Sequence, residues 1–174
     1  MKHIITITDK DITGSDKLSS AKPRIAVNAV LLDEDGCIAL AYMEKYDYYK
    51  LPGGGVEAGE ELIGALKREI WEETGCECEI ISELGYIVEN RGEHDFTQER
   101  SYYIARTIGE KGELHLTDKE ISDNTMAVWY PQEQALKLIE DKQYDNYQQR
   151  FRQRRDTAAL KEALNWLRQH EKAE

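Results

Sequence analysis

The sequence predicts a single α/β domain, and three observations lead to this prediction. A run of nine residues at 24–32 is apolar enough to form a strand buried on both faces of a sheet. Residues 60–74 carry apolar side chains at helical spacing and are followed by Gly75, a residue typical of helix C-termini. The length of 174 residues and the hydrophobic fraction of 40% suit one domain with a full core.

The region before the helix is predicted to supply the first strands. Residues 1–22 contain a weak strand pattern at 4–8 and then a polar turn, which we expect to lie at the edge of the sheet. The strand at 24–32 leads into an Asp35-Gly36 turn, a favoured hairpin turn, and residues 37–43 return as a second strand. These strands bring the chain to the glycine-rich stretch that precedes the helix.

The region after the helix alternates between strand patterns, turns and helix patterns. Strands are predicted at residues 76–81, 84–89, 99–108 and 126–130, and helices at 133–140 and 147–170. The later helix should turn Phe151, Leu160, Ala163, Leu164 and Leu167 inward. We therefore divide the chain into an N-terminal strand and turn (1–22), a main domain (23–141) and a helical extension packed on it (142–174).

The C-terminal extension differs in charge from the rest of the chain. Residues 142–174 contain eight Lys or Arg against five Asp or Glu, within a chain whose net charge is −11. The arginines concerned are Arg150, Arg152, Arg154 and Arg155. A group of arginines can bind phosphate bidentately. The interpretation we favour is that the positive side of this helix packs against the acidic body or pairs in a homodimer.

The helix at 60–74 places acidic residues on its apolar side. Its inward stripe is formed by Leu62, Ile63, Leu66 and Ile70. The same spacing leads to Glu69 and Glu73, with Glu72 beside them. Each carboxylate near the negative end of the helix dipole costs about 0.3–1 kcal/mol, and like charges four residues apart add about 0.2–0.5 kcal/mol. A local rule broken at such a cost indicates a functional site.

These carboxylates suit a hard divalent cation, Mg²⁺ or Mn²⁺, better than zinc. Mg²⁺ held by few carboxylates keeps open positions that typically go to phosphate oxygens, and Gly53, Gly54 and Gly55 let bare backbone approach them. A metal-bound water beside a further carboxylate is typical of a hydrolytic site, here one that cleaves a phosphate anhydride. The tyrosines close to this loop, candidates to stack on a base, are Tyr46, Tyr48 and Tyr49.

Read from Gly54, the stretch runs glycine, five residues, Glu60, seven residues and then REIWEETGC at 68–76. This pattern resembles the Nudix box in every defined position. The resemblance implies an α/β/α sandwich with a mixed central sheet, and Mg²⁺-dependent hydrolysis of a nucleoside diphosphate linked to another group. It also implies that Glu72 and Glu73 bind the metal ion together with the Gly53 carbonyl.

The resemblance implies further roles, and it leaves some of them open. Glu69 would be a metal ligand or the base that accepts the water proton, and Arg68 and Glu60 would pair and orient the catalytic carboxylates. Many family members take one more acidic ligand or base from beyond the box. The candidates for that position, which the sequence does not rank, are Glu99, Asp118 and Glu120.

The composition of the chain limits the binding partners that we expect. A net charge of −11 disfavours binding to nucleic acid or to an anionic membrane, so we expect a small nucleotide-type substrate. Three cysteines do not form a disulfide framework, and residues 1–10 lack an apolar signal core, so a cytoplasmic protein is expected. The proline after the box that is typical of ADP-ribose hydrolases and the flanking motif typical of coenzyme A hydrolases are missing. The substrate we expect is therefore a nucleoside triphosphate or a modified nucleotide. The alternative is a Nudix-fold sensor that binds a nucleotide without cleaving it.

Overall fold

The computed structural model describes residues 1–170, so the last four residues of the predicted C-terminal extension lie outside the described residues. This part of the chain forms one eight-stranded sheet with helices on both faces. The strands are β1 (His3–Thr8), β2 (Arg24–Leu32), β3 (Ile38–Met43), β4 (Tyr48–Lys50), β5 (Gly53–Gly55), β6 (Glu77–Arg91), β7 (Phe96–Ile108) and β8 (Thr125–Tyr130). The helices are α1 (Asp9–Ile12), α2 (Leu62–Thr74), α3 (Asp118–Ser122), α4 (Gln132–Glu140) and α5 (Tyr147–His170).

The sheet is mixed. Its main path has the order β1-β6-β7-β2-β3-β4, while β5 pairs with β2 and β8 pairs with β3. The pairs β1 with β6 and β2 with β7 are parallel, and the other pairs are antiparallel. Strand β1 lies at one edge, as its weak apolar pattern predicts. None of the helices in residues 1–170 is both long and apolar enough to cross a membrane.

Helices cover both faces of the sheet, which confirms the predicted α/β/α sandwich. Strand β2 shows why, because its successive side chains point to opposite faces. Val27, Ala29 and Leu31 pack against Leu66 and Ile70 of α2. On the other face, a second core cluster joins the sheet to α4 and α5 and includes Val30, Leu32, Phe151, Leu160 and Leu164. A strand covered on both faces can be largely apolar, as β2 is between Ile25 and Leu32 except at Asn28.

Several strands differ from the predicted ones. The two strands predicted at 76–81 and 84–89 are one strand, β6, whose register with β7 shifts between Ile80 and Ser82 and again between Glu83 and Gly85. These bulges let polar residues interrupt the alternating pattern without ending the strand. Strand β7 begins at Phe96 because only a short 3-10 turn, Gly92–His94, separates the two strands. The polar sequence RGEHDFTQ therefore contains little loop.

The glycine-rich stretch and the following helix also differ in detail. Gly53, Gly54 and Gly55 form strand β5, in register with Asn28, Val27 and Ala26 of β2, and not an open loop. Helix α2 begins at Leu62, two residues later than predicted. Ile63 is 37% exposed, so the expectation that it turns inward is wrong. The five residues predicted to face inward from the C-terminal helix are all buried.

Candidate active site

The last two turns of helix α2 lie against the glycine strand. Leu66 and Ile70 are fully buried and anchor the helix to the sheet. Gly75 terminates it in the left-handed conformation, at a φ of 69°, and its N–H donates to the Trp71 carbonyl at 2.9 Å. Glu69 and Glu73 of the last two turns therefore face β5 from a helix that is anchored to the sheet.

Glu73 is the most deeply buried of these glutamates. Its side chain is 1% exposed, its Oε2 accepts from the Gly53 N–H at 2.7 Å, and its Oε1 pairs with the ammonium of Lys50 on β4. Burial disfavours the charged form and raises the pKa of the Glu73 carboxyl, although the Lys50 charge opposes this. Lys50, which the sequence gave no reason to single out, is therefore part of the site.

Glu69 lies one turn earlier, against the backbone of Gly54. A Cβ at Gly54 would overlap the Glu69 carboxylate, so this close approach requires glycine. Arg68 donates to the Oε1 of Glu69 at 2.8 Å. Burial raises the pKa of the Glu69 carboxyl, and the hydrogen bond and charge of Arg68 oppose that rise.

Arg68 connects most of the remaining groups. It donates to both carboxylate oxygens of Glu60 at 2.9 Å each, to Glu72 at 3.3 Å and to the Gly55 carbonyl at 3.1 Å. The hydrogen bond from Arg68 lowers the pKa of Glu60 to about 2, so Glu60 stays ionised. The pair of Arg68 and Glu60 that the resemblance implies is thus present. Through it, the residues before the helix are held to the side of α2 that carries Arg68 and Glu69.

The donor set at this site is suited to a hard divalent cation. It consists of carboxylate oxygens on one side of α2, and two of these carboxyls have a pKa raised by burial, which a nearby cation would reverse. Within residues 1–170, no three His, Cys, Asp or Glu side chains converge closely enough to hold an ion as they stand. Lys50 and Arg68 are bonded to the oxygens of Glu69, Glu72 and Glu73.

The three candidates for a further carboxylate differ in position. Glu120 belongs to α3, and its charge contributes to raising the pKa of Glu73. Its Oε2 accepts from the Thr117 backbone N–H at 2.9 Å, as part of a capping box. Asp118 is the first residue of the same helix, and Glu99 lies on β7 opposite Ile25. Glu120 is thus the candidate whose charge reaches Glu73.

The predicted tyrosines occupy three different environments. Tyr48 is 1% exposed and packs edge-on against Tyr144, so it belongs to the core and has no free face for a base. Tyr49 is stacked on Tyr42, with ring centroids 4.4 Å apart. Tyr46 is 46% exposed and remains available.

Sequence reasoning missed the residues that support the glycine strand from the other side. Asn28 donates its side-chain amide to the carbonyls of Leu51 at 2.8 Å and Pro52 at 3.0 Å. Asp156 of α5 accepts from the Leu51 N–H at 3.1 Å and from the Tyr102 hydroxyl at 2.9 Å. The one signal in the sequence was Asn28 itself, a polar residue inside an apolar strand.

Comparison with known proteins places this geometry in a family. The sequence model of the NUDIX domain matches residues 22–151. Human 8-oxo-dGDP phosphatase NUDT18 is 34% identical over 108 residues, which cover 60% of this chain and 31% of that protein. Bovine diphosphoinositol polyphosphate phosphohydrolase 3-beta is 28% identical over 107 residues, 62% of each chain. The chain thus spans about a third of the length of the human protein and less than two thirds of the length of the bovine protein.

A solved structure shows the same fold. The crystal structure of MutT NUDIX hydrolase from Burkholderia pseudomallei superposes with a TM-score of 0.53 at 23% identity, covering 78% of this chain and 98% of that one. Its likeness concerns the fold alone. Because the family match covers residues 22–151, which is most of the chain, this protein belongs to the Nudix family.

Proposed function

We propose that this protein is a Mg²⁺-dependent hydrolase that cleaves a phosphoanhydride bond in a nucleoside diphosphate derivative, by attack of water at phosphorus. The observation that carries the proposal is the complete set of Glu69, Glu72 and Glu73 in the last two turns of α2, with Glu69 against Gly54 and Glu73 bonded to the Gly53 N–H. Two of these carboxyls have a pKa raised by burial, an arrangement that costs folding free energy unless a cation is bound. Mn²⁺ is a suitable substitute for Mg²⁺ because it prefers the same oxygen ligands.

We assign the roles that the resemblance to the Nudix box implies, and the contacts of Arg68 and Lys50 support them. Glu72, Glu73 and the Gly53 carbonyl would hold the ion, with Glu69 as a further ligand or as the general base. The ion would supply a Lewis acid for the phosphate oxygens and lower the pKa of the attacking water. Arg68 bonds to Glu69 and Glu72 and holds them in place. Lys50, which pairs with Glu73, can form an ion pair with a substrate phosphate instead. Gly54 and Gly55 would let the diphosphate approach the backbone, and Tyr46, the exposed one of the three predicted tyrosines, would be the one to contact a base.

The names of the relatives indicate the range of substrates to test. One acts on 8-oxo-dGDP, a modified nucleotide, and another on diphosphoinositol polyphosphates. Both substrates contain a phosphoanhydride, and the first agrees with our proposal of a nucleoside triphosphate or a modified nucleotide as the substrate.

The test is a substrate panel with Mg²⁺ that contains nucleoside triphosphates, oxidised nucleotides, nucleotide sugars and dinucleoside polyphosphates. We expect turnover of at least one member, with the oxygen of ¹⁸O-labelled water found in a phosphate product. Glu72→Gln should lower kcat by at least about 100-fold, since loss even of a residue that supports a metal ligand typically costs 10–100-fold. Glu34→Gln, an exposed glutamate in the β2–β3 turn, serves as the control and should keep the wild-type rate.

The same panel distinguishes the alternative function, a nucleotide sensor. Tight binding of a panel member without hydrolysis, unchanged in Glu72→Gln, would favour the sensor. The observation behind this alternative is that Lys50 and Arg68 already neutralise much of the acidic cluster.

A further inference from the structure

A cavity lined by arginines lies on the face of the sheet opposite α2. Its volume is about 330 Å³. The basic side chains around it, which we call the arginine cavity, are Arg24, Arg91, Arg100, Arg152, Arg155 and His94. These residues come from β2, β6, β7, the turn between β6 and β7, and α5, so only the folded chain brings them together.

Two of the five arginines have a structural role. Arg91 pairs with Glu89, and Arg155 pairs with Glu89 at 2.8 Å and with Asp156 at 2.9 Å. Glu89 and Asp156 are both fully buried. These ion pairs fasten α5 to the sheet, which agrees with the interpretation that the helix packs its positive side against the body.

The other three arginines lack such a partner. Within residues 1–170, no carboxylate lies within ion-pair distance of Arg24, Arg100 or Arg152. Arg24 is exposed and Arg152 is half-buried. The cavity therefore carries five guanidinium charges against the two carboxylates that neutralise them, and packing of the helix does not account for the excess.

Arg100 is the most informative of the three. It is 8% exposed, and its guanidinium bonds only to neutral amides, to Gln98 at 3.0 Å and to Asn28. Its Nε is buried without a hydrogen-bond partner. Burial and the neighbouring charge of Arg155 lower the pKa of Arg100 to about 10, so it stays charged near neutral pH. Glu89 and Asp156 act on Arg100 only from beyond ion-pair distance. A buried guanidinium with no carboxylate in direct contact is unfavourable, and it points to an anion that binds here.

The arginine cavity adjoins the candidate active site through strand β5. A Cβ at Gly55 would meet the guanidinium of Arg24, while the Gly55 carbonyl accepts from Arg68 of α2 at 3.1 Å. Asn28 bonds to Arg100 on one side and to the Leu51 and Pro52 carbonyls on the other. The glycine strand therefore contacts the acidic cluster on one side and the arginines on the other.

We infer that the arginine cavity binds a phosphate group on the part of the substrate that is not cleaved, so the preferred substrate is a diphosphate whose other substituent is itself phosphorylated. Planar guanidinium groups bind phosphate bidentately, and several of them can share its oxygens. A neutral nucleobase would leave the charges uncompensated. The aromatic rings are also engaged, since Phe96 lies beside Arg91 and Tyr147 beside His94. This inference rests on the proposed hydrolase function.

The first experiment compares substrates that differ by one phosphate monoester. Suitable pairs are a nucleoside 3′-phosphate 5′-triphosphate with the corresponding nucleoside 5′-triphosphate, and NADPH with NADH. We expect kcat/KM to be at least 10-fold higher for the phosphorylated member of a pair that is cleaved. Arg152→Gln should reduce this ratio to about 3 or less. Arg154→Gln is the matched control and should keep the ratio, because Arg154 points away and pairs with Asp11 at 3.2 Å.

The second experiment measures binding without catalysis. We expect pyrophosphate, titrated calorimetrically in EDTA, to bind at least 10-fold more weakly to Arg152→Gln than to wild type. Binding to Arg154→Gln and to Glu34→Gln should equal the wild-type value. If thermal denaturation shows that Arg152→Gln is not folded, Arg24→Gln tests the same cavity from an exposed position.

The outcomes separate the two proposals. Equal binding by Arg152→Gln and Arg154→Gln, or a ratio near 1 for every pair in the wild type, overturns the arginine cavity as a phosphate site. Pyrophosphate binding that depends on Arg152, with no hydrolysis of any panel member, overturns the hydrolase function and leaves the phosphate site standing.

Discussion

The two sides of strand β5 carry opposite excess charge. On the side of Gly54, the carboxylates of Glu60, Glu69, Glu72 and Glu73 face the cations of Arg68 and Lys50. On the side of Gly55, five arginines face two carboxylates. Each side has paired members that support the fold and an excess that nothing in residues 1–170 neutralises. The difference indicates what each side would bind, a cation on the first and an anion on the second.

The largest effect should come from the paired charges of the arginine cavity. Glu89→Gln removes the carboxylate that Arg91 and Arg155 share and leaves buried positive charge without compensation. We expect the free energy of unfolding at pH 7 to fall by about 3–5 kcal/mol, measured by urea denaturation. Glu79→Gln, an exposed glutamate of the same strand, should change it by less than about 0.5 kcal/mol.

The pH dependence of the same variant gives an independent check. Burial alone would raise the pKa of Glu89, but the charges of Arg155, Arg91 and Arg100 outweigh it and lower the pKa to about 2. A carboxyl whose pKa is depressed in the folded state contributes stability above its ordinary value near 4.5 and loses it as the pH falls towards 2. The stability difference between wild type and Glu89→Gln should therefore shrink across that window. A constant difference would contradict the ion-pair explanation.

The same comparison explains which parts could be predicted from the sequence. The acidic side is local, because Glu69, Glu72 and Glu73 lie within two turns of one helix and the box pattern fixes their spacing. The sandwich was predictable for a similar reason, since the long apolar run of β2 and the stripe of α2 are local signals. Helix α3, at five residues, is too short for such a signal and was not predicted.

The basic side is not local, and the sequence could not assemble it. Arg24 and Arg100 become neighbours because β2 and β7 pair in parallel, with Ala26 opposite Arg100. Arg152 and Arg155 reach them only because α5 crosses that face of the sheet. Lys50 could not be predicted for the same reason, because it precedes the glycine strand in the sequence while its partner Glu73 follows that strand. Pairing register, and not residue type, defines this half of the molecule.

A smaller effect is expected at the residue that organises the acidic side. Arg68→Lys keeps the charge but loses the planar fork that bonds Glu60 twice while reaching Glu69 and Glu72. We expect kcat on a panel substrate to fall about 10–100-fold, the range for residues that support metal ligands. The unfolding free energy should change by less than about 1 kcal/mol, because these ion pairs are partly exposed.

Lys67→Arg is the control for this position. Lys67 is exposed on the same helix, so the reverse exchange of the two cations should leave kcat unchanged. A wild-type rate in Arg68→Lys would show that the positive charge alone, without the bonding geometry, supports the glutamates.

The smallest expected effects come from two adjacent glycines that face the two sides. A Cβ at Gly54 would overlap the Glu69 carboxylate, and a Cβ at Gly55 would overlap the guanidinium of Arg24. Gly54→Ala should therefore lower kcat about 10-fold on phosphorylated and unphosphorylated substrates alike, because a small misplacement of a catalytic group is costly. Gly55→Ala should raise KM by about 2–5-fold, and mainly for the phosphorylated member of each substrate pair, since Arg24 can rotate aside. Steady-state kinetics of both variants on one pair measures this directly, with thermal denaturation to show that each is folded. If the two alanines changed the same parameter for the same substrates, the glycine strand would not separate a cation side from an anion side.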